Sequence, residues 1–346
     1  MTSTSHAFFP EHHRPGLFRS RAWLNTWAQH WGHGANIMPL ANSPELAEHK
    51  LYRLRQMLKG VIPIQIGFPA GVSTSATPSV RSEYFFFSQK EEKSAQVIAD
   101  YLNQLQRQRW DQFLLPDLLR SSNEYPLLLD QARAANLKVV EKHCDKTYGI
   151  DLTDKSFEQY LGSLGKNTRL KLFNRRKNLA SLGTIKLENI WPDQDRFYQL
   201  LNEFHRTRWN KPCYQGIQLQ FISDLSQALA DDGHEIDFSV LSVNDEVVSV
   251  LFDVRVNGRQ YNFQSGYLEN FARNISLGTL HLGYQIEAAF SNPGIGFYDF
   301  MAGTGKNSDY KSAIANTSDE LVTLALVRNP LLKFAYSWHA LQRSDV

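Results

Sequence analysis

Three segments in the second half of the chain, HEIDFSVLSV (234–243), EVVSVLFDVRV (246–256) and RQYNFQSGY (259–267), are rich in β-branched and aromatic residues and are separated by Asn244-Asp245 and Asn257-Gly258. Such dipeptides tolerate the positive φ that tight hairpin turns require, so the three segments are expected to form an antiparallel meander. What flanks the meander then narrows the fold. A strand at YGIDL (148–152) and helices over 155–181, 193–210 and 218–231 precede it; a helix over 277–290, a strand at 296–300, a Gly-rich loop and a last strand at 320–327 follow it. The first half alternates similarly: a helix over 20–31 capped by Ser20, strands at 61–68 and 83–88, a helix over 91–108, a strand at 110–115, a helix over 123–135 and a strand at 136–142. Alternation of this kind predicts α/β architecture in both halves, with mixed sheets flanked by helices.

With 346 residues the chain is long enough for two lobes. Its 42% apolar and 21% charged residues are those of a globular protein, and a net charge of +2 implies no global attraction to nucleic acid. The two cysteines, Cys144 and Cys213, have neither disulfide-framework nor zinc-ligand spacing, so no metal site is expected. No run of 18 apolar residues occurs, and the start MTSTSHAFFPEHHRPG does not read as a secretion signal. A cytoplasmic protein is expected, with a peripheral place at the inner membrane left open. Trp23, Trp27 and Trp31, spaced i, i+4, i+8, read as a core stripe, with a stacking platform as the other reading. The Ser/Thr-rich loop at 71–80 suggests no function.

Four segments resemble the CelD/BcsL polysaccharide-biosynthesis branch of the GNAT acyltransferase superfamily, whose wider relatives include the FemABX aminoacyltransferases. They are LFRSRAWLNTWAQHWG (17–32), FEQYLGSLGKNTRLKLFNRRKNLASLG (157–183), FYQLLNEFHRTRWNKPCYQG (197–216) with its His205, Arg208 and Trp209, and the pair FQSGYLENFARNISLG (263–278) and YDFMAGTGKNSDYK (298–311). The resemblance implies two GNAT-like lobes in tandem, a degenerate one over 1–147 and an acyltransferase lobe over 148–346, each with a mostly antiparallel mixed sheet. It implies acyl-CoA as co-substrate with no permanently bound cofactor, and an amine or hydroxyl of a sugar nucleotide, glycolipid or saccharide as acceptor. Two other readings stay open. One is a FemABX-like transferase using aminoacyl-tRNA, and the other a non-catalytic saccharide- or partner-binding protein.

Acyl transfer from a thioester needs an anion site for the donor phosphates, an oxyanion stabiliser, a route for the acceptor's proton and an acid for the leaving thiolate. Arg273, Ser276, Leu277, Gly278 and Thr279 stand at the start of a predicted helix, where free backbone N–H groups attract phosphate. There Ser276 replaces the first glycine of the family's pyrophosphate loop, and a plain N-cap is the alternative. Tyr310 and Lys311 follow the Gly-rich loop and supply an acid and a cation, unless they form a solvated turn. Asp299 could orient Lys311 or take a proton, or simply cap. His205 could be a general base or a packed histidine. Lys166, Arg169, Arg176 and Lys177 fall within roughly a 100° arc of one helix, so Arg175, Arg176 and Lys177 could bind a phosphate-bearing acceptor or form a solvated face. Trp209 and Tyr267 complete the candidate substrate contacts.

Overall fold

A computed structural model describes residues 7–35, 37–39, 46, 49–58, 60–303 and 306–344. The chain forms two compact units, one of Met1–Lys146 with Asp319–Val346 and the other of Thr147–Ser318. The expected second lobe of 148–346 is therefore corrected at its end: the last strand and helix return to the first unit. That return depends on pairing between β4 and β11, some 200 residues apart, which no local signal announces.

In the first unit, Ser20 caps α1 (Arg21–Ala35), its Oγ accepting from the Trp23 backbone N–H at 3.1 Å. Trp23, Trp27 and Trp31 are all buried, so the stripe is core. A short β1 (Met38–Pro39) precedes the antiparallel pair β2 (Lys50–Leu58) and β3 (Ile62–Pro69). The strand expected at 83–88 is reduced to one bridge, Phe85 to Leu118; here the backbone turns at Tyr84 (φ 56°), and the Phe87 and Ser88 N–H groups donate to the buried Glu124 carboxylate. After α2 (Ser94–Gln106) comes β4 (Gln112–Leu119), parallel to β3; α3 (Glu124–Ala134) then leads into β5 (Lys138–Asp151). The strands expected at 136–142 and 148–152 are two ends of this one strand. Within the unit the strand order is β1-β2-β3-β4-β11-β5. In the Ser/Thr-rich loop, Thr74 and Thr77 hydrogen-bond each other and the buried Tyr52 hydroxyl, giving the loop a structural anchor.

In the second unit the helix expected over 155–181 is broken. It comprises α4 (Phe157–Ser163) with a Ser156/Gln159 capping box, α5 (Lys166–Arg169), a π-helical turn at Leu170–Asn174 and α6 (Arg176–Ala180). An edge strand, β6 (Ile185–Asn189), follows, and then α7 (Gln194–Trp209) and α8 (Ile217–Asp231). The meander is β7 (Glu235–Val243), β8 (Glu246–Val256) and β9 (Arg259–Tyr267). Its two turns have positive φ at both central residues: 50° and 67° at Asn244-Asp245, 48° and 75° at Asn257-Gly258. Next come α9 (Leu277–Ser291), β10 (Phe297–Gly303), α10 (Lys306–Ile314), β11 (Thr317–Val327) and, back in the first unit, α11 (Pro330–Ser344). Strand order in the second unit is β5-β10-β9-β8-β7-β6, antiparallel from β9 to β6 but parallel between β9 and β10.

Two glycines make this packing possible. A Cβ on Gly283 of α9 would lie 2.2 Å from the Leu172 carbonyl oxygen, so only glycine lets α9 touch the π-helical turn. A Cβ on Gly149 of β5 would meet the Phe297 ring of β10 at 2.2 Å.

Candidate active site

The parallel strands β9 and β10 pair only through Arg259–Tyr261 and Phe297–Asp299. Beyond these residues they part, and β9 continues to pair with β8 along its other edge. Into the opening falls a cavity of about 400 Å³. Asn262, Phe263, Gln264, Ser265 and Tyr267 of β9 line one side, with Leu251 of β8. Gly278, Thr279 and Leu282 of α9, Phe300 of β10, Tyr310 and Lys311 of α10, and Arg208 and Trp209 of α7 complete it. Six of the residues singled out from sequence thus converge: Trp209, Tyr267, Gly278, Thr279, Tyr310 and Lys311.

The wall at α9 is fixed by a close contact. A Cβ on Gly278 would sit 2.4 Å from the Tyr267 ring, so the glycine seats that ring, and the Tyr267 hydroxyl accepts from Arg208 Nη1 at 2.6 Å. Leu280 makes the first i→i−4 bond of α9, to Ser276, which leaves the N–H groups of Leu277, Gly278 and Thr279 without acceptors among the described residues. Ser276 does not cap the helix with its side chain; its Oγ pairs instead with Thr279 Oγ1 at 2.9 Å. Leu277 is buried in the core against Leu280 and Val248, and its side chain has no part in the cavity. Arg273 is exposed, three residues before the N-cap.

Tyr310 and Lys311 stand on a helix, not in a loop. Tyr310 retains 38% of its surface and lines the cavity, while the surrounding protein pushes its phenol upward, first by desolvation and then through Tyr267 and Tyr160. Lys311 Nζ donates to the Ala302 carbonyl at 2.6 Å and to that of Met301 at 3.3 Å, lying across Gly303, where a Cβ would crowd it at 3.0 Å. The lysine ties α10 to the end of β10 and brings its positive charge to the cavity rim.

Asp299 is a correction. Its side chain is fully buried, with Oδ2 accepting from Arg259 Nε at 2.8 Å and Oδ1 from the Met301 N–H at 2.6 Å. Both carboxylate oxygens are thus engaged in an internal ion pair and a backbone bond, and Asp299 is not among the residues lining the cavity. His205 is corrected as a base: Nε2–H donates to the Ser265 carbonyl at 3.0 Å, the ring packs on Trp209 at 4.5 Å, and desolvation lowers its pKa. It positions β9 and Trp209. The single cationic helical face is also corrected, because the π-helical turn shifts the angular register and Arg176 turns inward. Its guanidinium lies 3.8 Å from the Tyr284 ring centroid and pairs with Glu287, both on α9. Arg175 and Lys177 stay partly or fully exposed, as do Lys166, Arg169 and Lys171.

Arg208 was not singled out as a site residue. It lies 4.3 Å over the Trp209 ring, bonds Tyr267 and pairs with Glu269 at 2.7 Å, joining α7 to the cavity wall. Its signal was the HRTRW element, which places His205 and Trp209 one turn apart. Asn262 was also missed. It lines the cavity and donates to Asp253 Oδ1 at 2.9 Å, while Tyr298 and Gln260 donate to Oδ2 at 2.6 and 2.5 Å. Asp253 stands directly opposite Asp237 across β7 and β8. Burial and mutual repulsion push Asp237 up to about 7, and burial pushes Asp253 up to about 6. Among the described residues no group of three or more His, Cys, Asp or Glu could hold a metal.

Residues 166–312, which contain the whole cavity, match the model of the acetyltransferase (GNAT) domain. Over this span the second unit resembles a GNAT acetyltransferase domain. This match supports a transferase. Solved structures similar in fold include FemX, at 11% identity and TM-score 0.58, covering 94% of this chain and 98% of that one. A conserved protein of unknown function from Bacteroides thetaiotaomicron follows, at 12% identity and TM-score 0.54, covering 93% and 95%. The DUF2156 C-terminal domain of an Agrobacterium fabrum protein assigned as a lysylphosphatidylglycerol synthetase is similar at 11% identity and TM-score 0.51, covering 93% and 92%. No curated protein matches. No helix among the described residues is long and apolar enough to cross a membrane.

Proposed function

We propose that the GNAT domain transfers an acyl group from acyl-CoA to an amine or hydroxyl of a sugar, glycolipid or polysaccharide precursor, in keeping with the CelD/BcsL resemblance. The observation that carries this reading is the opening between β9 and β10, joined to the free N–H groups at the start of α9. An extended arm rich in amides can pair with the unpaired edge of β9 much as an added strand would. At one end of it, the three N–H groups and the dipole of a 15-residue helix favour phosphates, with Arg273 nearby. Gly278 and Thr279 belong both to this helix end and to the cavity, so one ligand can span them.

The acceptor's lone pair attacks the thioester carbonyl and the C–S bond breaks. Tyr310, held protonated by its surroundings, gives its proton to the departing thiolate and recovers one from the newly acylated nitrogen or oxygen. Among the described lining residues there is no carboxylate or imidazole, and Lys311 is occupied as a donor. Of the two lining tyrosines, Tyr267 is engaged by Arg208, so Tyr310 is the group we assign to proton transfer. Trp209, Tyr267 and Arg208 offer aromatic faces and a cation to the acceptor, a combination suited to a sugar ring.

The test is to incubate the protein with acetyl-CoA and longer acyl-CoAs in the presence of amino-sugar and hydroxyl acceptors and to detect acylated product by mass spectrometry. Product formed by wild type and lost in Tyr310→Phe supports the reading; product unchanged in that variant rejects the role of Tyr310. A second reading, transfer from aminoacyl-tRNA, is favoured by Lys166, Arg169, Lys171, Arg175 and Lys177, none of which has a carboxylate partner among the described residues. Transfer that requires charged tRNA and ignores acyl-CoA would select it.

A further inference from the structure

Helix α11 begins just after β11 and carries Leu331, Phe334 and Trp338 at 68%, 69% and 57% exposure. At 100° per residue the three fall within an arc of about 60°. They form one apolar ridge facing away from the buried Leu332, and the Phe334 and Trp338 rings stack at 6.4 Å. Lone exposed apolar residues need no explanation, but a contiguous aromatic ridge does. The hairpin between β2 and β3 adds to it. Asp111 at the start of β4 accepts from the Gln65 N–H at 2.7 Å and from Asn329 Nδ2 at 2.7 Å. The start of β3 and the start of α11 therefore lie at the same end of this unit's sheet. Exposed Val61 and Ile62 crown that end.

Charge identifies the occupant. The segment 328–346 holds two arginines, a lysine and a histidine against one acid, Asp345. Lys138 donates to Ser337 Oγ at 2.8 Å, Lys142 to the Tyr336 hydroxyl at 3.2 Å and Lys333 to the Asn136 carbonyl at 2.6 Å. Arg328 donates to the carbonyls of Gln106 and Gln108. All four cations donate to neutral oxygens, and among the described residues none of them has a carboxylate ion-pair partner. A ridge of Leu, Phe and Trp flanked by these cations has the composition of a helix that lies in a lipid headgroup layer, with rings at the acyl boundary and cations at phosphate level.

We propose that α11, with Val61 and Ile62 at the same end of the sheet, docks the first unit on an anionic lipid surface. This does not rest on the acyltransferase reading, since none of these residues lines the cavity of the second unit. The test is co-sedimentation of the full chain with vesicles of phosphatidylcholine alone and of phosphatidylcholine with phosphatidylglycerol in equal parts, at 0.1 and 0.5 M NaCl. We expect binding to the anionic vesicles at least tenfold tighter than to the neutral ones and weakened by salt. A Leu331→Ser/Phe334→Ser/Trp338→Ser variant should lose at least tenfold, and Lys138→Gln/Lys142→Gln/Lys333→Gln should lose the preference for anionic lipid. Circular dichroism and melting verify that both variants are folded, and the salt dependence of wild type reads the charge contribution without any variant. Absence of wild-type binding, or equal binding by the apolar variant, overturns the proposal. So does a concentration-dependent dimer without vesicle binding that the apolar variant abolishes, which would assign the ridge to a second copy of the chain.

Discussion

Replacing Asp237 by Asn should make the second unit more stable at alkaline pH and leave it little changed in acid. Asp237 and Asp253 face each other across β7 and β8, with Gln285, Arg255 and Glu235 around the first and Tyr298, Gln260 and Asn262 donating to the second. Arg255 is shared between Glu235 and Asp237, with 3.7 Å to Asp237, too far to offset burial fully. Asp237 is raised from 3.8 to about 7. A carboxyl raised on folding holds its proton while the unfolded chain has lost it, so stability falls as pH rises from about 4 to about 7 and is flat above. Between pH 5 and pH 8 that is two units, at about 1.36 kcal/mol each, or roughly 3 kcal/mol. Repulsion from Asp253 is part of the same sum and is counted once. Asn cannot ionise and keeps a side chain that Gln285 can bond. Urea unfolding of wild type and Asp237→Asn at pH 5, 6.5 and 8 should show the variant's advantage growing by about 3 kcal/mol across the series. Parallel pH curves would mean that Asp237 is ionised throughout, with Arg255 meeting the cost, and would refute the reasoning.

Other outcomes follow from the same geometry. Tyr310→Phe should melt within a degree or two of wild type yet lose about 100- to 1000-fold in turnover, the usual cost of one positioned transition-state donor; melting and rate are to be measured on one preparation. Gly278→Ala should push the Tyr267 ring out of its seat and weaken donor binding at least tenfold, read by calorimetry, while Thr279→Ala, which removes only the partner of Ser276, should matter less. Asp299→Asn should destabilise by about 3–5 kcal/mol by stranding the buried Arg259 charge, read by urea unfolding; a stable, inactive variant would instead return Asp299 to the chemistry.

The meander was legible because its determinants are local: Asn244-Asp245 and Asn257-Gly258 dictate their turns whatever surrounds them. The cluster of Tyr267, Gly278 and Tyr310 was legible through the resemblance, but the reason they meet, the parting of β9 from β10 after Asp299, is a tertiary fact. Where the sequence misled, a long-range partner had decided the outcome. Arg259 claims Asp299, Glu287 and Tyr284 claim Arg176, and the Ser265 carbonyl claims His205. The π-helical turn at Leu170–Asn174 has no local signal, and the residue it packs against, Gly283, lies on another helix more than a hundred residues on. Residues 319–346 joined the first unit through β11 pairing with β4, a contact that periodicity does not encode.

On the proposed reading, the cavity between β9 and β10 holds an acyl-CoA. Isothermal titration of acetyl-CoA, longer acyl-CoAs and free CoA into wild type and Gly278→Ala tests it most directly. We expect saturable one-to-one binding of at least one thioester by wild type, at least tenfold weaker in the folded variant. No binding of any CoA species by folded wild-type protein, or equal affinity in both proteins, would contradict it.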